Sequence, residues 1–412
     1  MDIERAKKLI KDYAYTDYTK MLREPEGRIV DHFIVPGAGY SKSLWDWDCW
    51  LANIAIRQIL NDTNQSDADF LKYERGTVTN FFHNELPDGR IPTDMNPRTT
   101  SYDFFGDNCN PHKPCLAQHV AFIFRETNED IEWFLPYVDH LVKFLDYYMT
   151  SMRHKETGLY FWISDGGVGV DNDPCSFDRP LNSSASIYLN CFMYKELLSA
   201  VYVLKLCNVD AEKYEKEAEN LKKAVQEHLW DERDGFYYSA DLNLNPIRPD
   251  VHAGAPRHWH CLIQKIGVWS GFLAMWAGIA TKEQAQRMVY ENLLDERLYN
   301  APYGVRTLTP LDKMYSIKKT GNPSCWLGPI WGISNYMVFV GLLNYGFEKE
   351  AKELAEKTLL LFGRDIEKQG CMSEYYDPET GESVNNPGFQ NWNLLSLGMI
   401  AYLDNTKWIK EF

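Results

Sequence analysis

The sequence predicts an all-α fold, a toroid of six helical hairpins with six helices inside and six outside. Its functional site is expected at the end that carries the long loops. Three observations predict this. Twelve stretches show the helical period of apolar residues, and they fall in six consecutive pairs. Long segments rich in Gly, Pro, Asn and Asp separate the pairs, and loops of that length are unusual unless they serve a function. No low-complexity linker, charge block or tight repeat divides the chain, so residues 1–412 are expected to form one domain. An open helical solenoid is the runner-up, and it would show a repeat period.

In chain order, an amphipathic helix is expected over 2–23. DHFIVPGAGY (31–40) ends in Pro and Gly and reads as an extended loop. Helices follow over 45–60, 65–82, 114–127, 129–152, 184–206, 210–229, 260–277, 281–296, 330–345, 347–363 and 390–404. The period is clearest in 210–229, where Tyr214, Ala218, Leu221, Val225 and Leu229 share a face. The long segments are 84–113, 153–183, 231–259, 298–329 and 365–389.

The composition narrows the function class. An apolar fraction of 45%, with 13 Trp, 25 Tyr and 20 Phe, is ample for a core and also suits a site that stacks on sugar rings. The net charge of −15 opposes a nucleic-acid or anionic-membrane partner, which would need a basic patch. The N-terminus, MDIERAKKLIKDYAY, has no apolar signal core, and no apolar run reaches the length of a membrane span. Nine scattered cysteines with no CxxC pair fit reduced thiols, and hence a cytoplasmic location, and give no zinc signature. A homo-oligomer is left open.

Chemistry concentrates in four stretches. GGVGVDNDPCSFDR (166–179) has three glycines in four residues ahead of Asp171, so the backbone can turn sharply and approach a ligand. GLYFWISD (158–165) precedes it as a short extended segment. Taken alone, the stretch reads as an Asp-rich surface turn. CMSEYYDPETG (371–381) sets Glu374 before a Pro/Gly turn, where a solvated glutamate is the bland reading. Together, however, Asp171 and Glu374 make a pair, and glycosidic hydrolysis uses two carboxyl groups. YSKSLWDWDCW (40–50) packs three tryptophans and two aspartates into six residues at a helix start, as N-caps or as a sugar subsite. NPSCWLGPIWGISNY (322–336) carries Trp326 and Trp331 around a Gly-Pro turn. DGRIPT (88–93), KPCLAQ (113–118), PYGVRTL (302–308) and QNWN (390–393) are weaker signals.

These residues, taken in order, resemble glycoside hydrolase family 63, in the clan that also holds trehalases. The likeness is greatest to the short bacterial members that act on mannosylglycerate or glucosylglycerate. The resemblance runs from about Pro36 to Asn393. It rests on Tyr40 with Trp45, Trp47 and Asp48; the DG-x-IP turn; a Lys-Pro helix start with Gln118; Gly169 to Pro174; PYGVRTL; the Trp326 to Tyr336 stretch; and Glu374 with its DPETG turn. It implies an (α/α)6 barrel and an inverting α-glycosidase; a pocket closed at one end would make it exo-acting, and the two-carboxyl chemistry needs no metal or other cofactor. Its substrate would be a small saccharide or glycosyl conjugate.

By the same resemblance Asp171 would be the general acid and Glu374 the general base, about 6.5–9.5 Å apart to admit a water. Tyr40, Trp45, Trp47, Asp48, Gln118, Trp326 and Trp331 would line the sugar subsite. The chain departs from the family at Gly166, Gly167, Val168, Asp173, Cys325 and Leu327, all around the subsites. Arg179, Arg257 and Arg306 are the candidates for a cation facing a glycerate carboxylate. Two alternatives are a sugar epimerase using the Arg257-His258-Trp259-His260 cluster as acid and base, and a non-catalytic sugar-binding protein.

Overall fold

A computed structural model describes the chain except for residues 245–247, 249, 252, 256–258 and 319. Its helices, in chain order, are α1 (Ile3–Asp17), α2 (Asp46–Asp62), α3 (Leu71–His83), α4 (Ser101–Phe105), α5 (Leu116–Glu126), α6 (Val138–Ser151) and α7 (Ile187–Leu206). They continue with α8 (Glu212–His228), α9 (Leu273–Trp276), α10 (Lys282–Arg287), α11 (Gly332–Asn344), α12 (Glu348–Gln369) and α13 (Ser396–Leu403).

Burial separates inner helices from outer ones. In α2 every residue from Asp46 to Leu60 is buried, and in α11 every residue from Gly332 to Leu342 is, as expected of helices enclosed on all sides. In α8 only one face is buried, through Tyr214, Ala218, Leu221 and Val225, while Lys and Glu occupy the other. Contacts run around an inner ring α2–α5–α7–α9–α11–α13 and back to α2, closing a toroid. The outer helices α1, α3, α6, α8, α10 and α12 alternate with the inner ones along the chain, and α4 lies in a loop. The sixth hairpin is assembled from both ends of the chain, since α1 packs on α12 and α13. The fold is an (α/α)6 toroid.

Each inner helix returns to the next outer helix by a short turn. Each outer helix reaches the next inner one through a long segment, so these segments gather where the inner helices begin. Short antiparallel strands brace them. Leu44–Trp45 pairs with Asp94–Met95. Tyr375–Tyr376 pairs with both Ile330–Trp331 and Ser383–Asn385. The expected extended segment 158–165 is bridged at Tyr160 to Arg153 and at Trp162 to Ser184.

Three helical expectations needed revision; 129–152 is α-helical only from Val138, after turns and the 3-10 helix Leu135–Tyr137. The stretch 260–277 is helical only from Trp269, as a 3-10 turn running into α9. Leu262–Gln264 instead forms a strand on Ser239–Asp241. Val268 is extended, and the Gly267 carbonyl accepts from the Thr309 N–H at 3.0 Å, so this segment bonds to a neighbouring one instead of coiling on itself. The stretch 281–296 opens as α10 behind a Thr281–Gln284 capping box and widens into a π-helix over Met288–Leu293.

Candidate active site

At the loop-bearing end the segments enclose a cavity of about 350 Å³. Asp171, Glu374, Tyr40, Trp45, Trp47, Asp48, Trp326 and Trp331 all line it.

Glu374 stands just ahead of the first strand of a hairpin whose turn is DPETG. The Asp377 carboxylate accepts from the N–H groups of Glu379 and Thr380 at 2.8 and 3.1 Å, and Gly381 adopts a positive φ of 73°. This turn sets the register that joins the Glu374 N–H to the Asn385 carbonyl at 3.0 Å. The Glu374 side chain, 3% exposed, then accepts from the Tyr40 hydroxyl at 3.1 Å and from Asn385 Nδ2 at 3.0 Å. Burial pushes its carboxyl up to about 7. Donors on Asn386, Tyr40 and Asn385 hold it down, and the Asp171 charge adds to the rise.

Asp171 sits on the glycine-rich turn. Gly167 and Gly169 have φ of 79° and 84°, and a Cβ on Gly169 would stand 2.5 Å from Lys113 Cε. Two bonds join this turn to the segment ahead of α11. Asn322 Nδ2 donates to Asp171 Oδ2 at 3.2 Å, and the Trp326 N–H donates to Asn172 Oδ1 at 2.7 Å. Burial raises the Asp171 carboxyl above its ordinary range, against the pull of Asn322, Ser324 and Lys113. Burial thus raises both acids, and the Asp171 charge adds to the rise at Glu374.

Indoles floor the cavity. Trp326 stacks on Trp331 at 3.9 Å with ring planes 8° apart, and Trp47 meets Trp326 and Trp392 at 6.2 and 5.3 Å. Asp48, in the first turn of α2, accepts from Asn391 Nδ2 at 2.6 Å. Burial lifts its carboxyl to about 8, with Lys113 opposing and Asp46 and Glu374 adding.

Gln118 is a correction, because it does not line the cavity. It is fully buried in the core, where its amide donates to the Pro114 carbonyl at 2.8 Å. The Glu196 carboxylate accepts the N–H groups of Ala117 and Gln118 at 2.7 and 3.1 Å, capping the start of α5 inside the core. Of the cationic candidates, Arg179 and Arg306 do not line the cavity either. Arg179 pairs with Asp241, and Arg306 pairs with Glu379 and donates to the Glu296 carbonyl at 2.9 Å. Arg257 and His258 of the basic cluster lie outside the described residues, and no described histidine lines the cavity.

Some lining residues were not singled out as site residues. Lys113 donates its ammonium to Asp46 Oδ1 at 2.7 Å and lies 5.3 Å over the Trp47 ring. Asp94 is brought opposite Trp45 by strand pairing, and burial raises its carboxyl to about 6. Phe105, Asp165 and Phe177 surround the opening, and Trp392 adds to the floor. Lys113 and Trp392 lie in two of the weaker motifs, whereas nothing in the sequence marks Asp94.

Residues 41–392 match the family model described as the mannosylglycerate hydrolase MGH1-like glycoside hydrolase domain. Mannosylglycerate hydrolase MGH1 of Selaginella moellendorffii is 22% identical over 408 residues, covering 85% of this chain and 78% of that protein. A cytosolic neutral trehalase of Kluyveromyces lactis is 27% identical over 254 residues, or 58% of this chain, but the match spans only 31% of the trehalase. The crystal structure of a GH63 mannosylglycerate hydrolase from Thermus thermophilus, in complex with Tris and D-glycerate, superposes with a TM-score of 0.71 at 18% identity. That match covers 94% of this chain and 99% of the other.

Proposed function

The chain belongs to the MGH1-like glycoside hydrolase family, and we propose that it is an inverting, exo-acting α-glycosidase of small α-glucosides or α-mannosides. Candidate substrates are glucosylglycerate, mannosylglycerate and α-linked disaccharides. The observation that carries this reading is that Asp171 and Glu374, from distant segments, line one cavity floored by indoles.

In this reading Asp171 is the general acid. It gives its proton to the glycosidic oxygen as the bond from that oxygen to the anomeric carbon breaks. Glu374 is the general base. It takes a proton from a water whose oxygen forms the new bond on the opposite face of the ring. One water is consumed, and the products are a free sugar of inverted anomeric configuration and the aglycone alcohol. The Tyr40 and Asn385 donors stabilise the ionised base, and its burial keeps it basic enough to accept a proton. Trp45, Trp47, Trp326 and Trp331 fix the ring, and Asp48 binds its hydroxyls.

The test is product release over α-glucosides and α-mannosides, including glycerate conjugates and disaccharides, with the first-formed anomer followed by NMR. Inversion with loss of turnover in Asp171→Asn and Glu374→Gln supports the reading. Retention of configuration, or wild-type turnover in either variant, overturns it.

A further inference from the structure

Beyond the paired acids and the indole floor, the cavity has a mouth whose chemistry bears on what leaves the sugar. Five carboxyl groups line the cavity, on Asp48, Asp94, Asp165, Asp171 and Glu374; Asp171 carries a proton in the reading above and burial pushes Asp48 up to about 8, so the cavity's negative charge rests on the other three. Lys113 is the one cationic side chain among the described lining residues. It is not free to meet a substrate anion, because it is 2% exposed and its ammonium is spent on Asp46 at 2.7 Å. A cleft of one charge sign concentrates ligands of the opposite sign and repels those of its own.

The mouth is also apolar. Phe105 and Phe177 line it while 52% and 39% exposed, and Phe104, next to Phe105 in sequence, is 69% exposed. Exposed rings at a cavity rim mark a surface that a ligand covers. Phe105 is held there by close packing, since a Cβ on Gly166 would stand 3.1 Å from its ring. Phe177 is placed by the turn in which its N–H donates to the Asp173 carbonyl at 2.8 Å. Asp165, exposed and in the same lining, accepts from the Asp178 N–H at 3.4 Å; its carboxylate offers acceptors for hydroxyl groups but no donor for a carboxylate.

We propose that the leaving-group side of this cavity takes an uncharged polyhydroxy aglycone, a second sugar ring in preference to a carboxylate such as glycerate. The selecting residues are Phe105, Phe177 and Asp165. This rests on the glycosidase reading above. The rings cover the C–H face of the leaving sugar, Asp165 accepts from its hydroxyls, and the cavity's negative potential turns away an anion.

The test uses the full chain and a matched pair, α-glucosylglycerol against α-glucosylglycerate, with the mannosyl counterparts and α-linked disaccharides of each sugar. The expected kcat/KM is higher for the uncharged partner by about tenfold or more at low salt. That gap should shrink as salt rises, because screening weakens repulsion, and a purely steric selection would not move. Asp165→Lys, at an exposed position, narrows the gap. Phe177→Ala raises KM for the disaccharide more than for the glycosyl fluoride, whose leaving group is too small to reach the ring. Equal or better turnover of the glycerate conjugate, or a gap indifferent to salt, overturns this proposal and leaves the glycosidase reading intact. No turnover of any α-glycoside overturns that reading and this one with it.

Discussion

The Tyr40 hydroxyl donates to Glu374 Oε1 at 3.1 Å across 334 positions of sequence, tying the loop ahead of α2 to the hairpin ahead of α13. A donor to a carboxylate favours its ionised form. Glu374 must be ionised to act as base, so activity on the acid side rises as pH passes through about 7. Tyr40→Phe removes the donor and raises the Glu374 pKa. The acid limb of the kcat/KM profile should then move to higher pH, with the greatest loss below neutrality. An unmoved limb would separate Tyr40 from the base.

Asp171→Asn cannot donate a proton, yet a glycosyl fluoride leaves without one. Turnover of a natural α-glycoside should fall by roughly two to four orders of magnitude, while the matching fluoride loses far less. Glu374→Gln should lose both substrates alike, because each needs the activated water. Thermal melts within a few degrees of wild type would show that the fold is intact.

Asp48 carries a stability cost. Its folded-state pKa of about 8 is raised by burial, so the folded chain keeps a proton that the unfolded chain releases. With an acid raised in the folded state, stability falls as pH climbs from the ordinary aspartate range towards 8. Asp48→Asn keeps an acceptor for Asn391 and removes the titration. Its Tm advantage over wild type should therefore grow between pH 5 and pH 8, while KM for substrate rises. A Tm difference that does not change with pH would refute the linkage.

Gly169 admits no side chain where it stands. Its φ of 84° is strained for other residues, and a Cβ would press on Lys113, which neutralises Asp46. Gly169→Ala should cost about 1–3 kcal/mol of stability by denaturant melt. It should also lower kcat, because Asp171 rides on the same turn.

Much of this architecture is legible in the one-dimensional pattern. The one-sided period of α8 marks an outer helix, and the unbroken burial of α11 matches a stretch apolar on nearly every side, whereas α2 also buries Asn53, Arg57 and Gln58. The glycines before Asp171 and the DPETG turn after Glu374 announce local geometry, because positive φ and Asx turns restrict residue choice. Gln118 misled because a Lys-Pro helix start looks the same in sequence whether its glutamine faces a cavity or the core. The buried Glu196 carboxylate decided that. The strand at Leu262–Gln264 was read as helix because a short apolar run has no distinctive period.

The sequence by itself determined the helices, the loops long enough to carry chemistry, and the residues able to perform it, because each depends on neighbours a few positions away. Only the tertiary structure decided which loops meet. It set Tyr40 against Glu374, zipped Asp171 to Asn322, brought Asp94 opposite Trp45, and left Lys113 committed to Asp46. Those pairings follow from closing the ring of helices, a cooperative packing event whose partners lie far apart in the chain and leave no periodic trace in it.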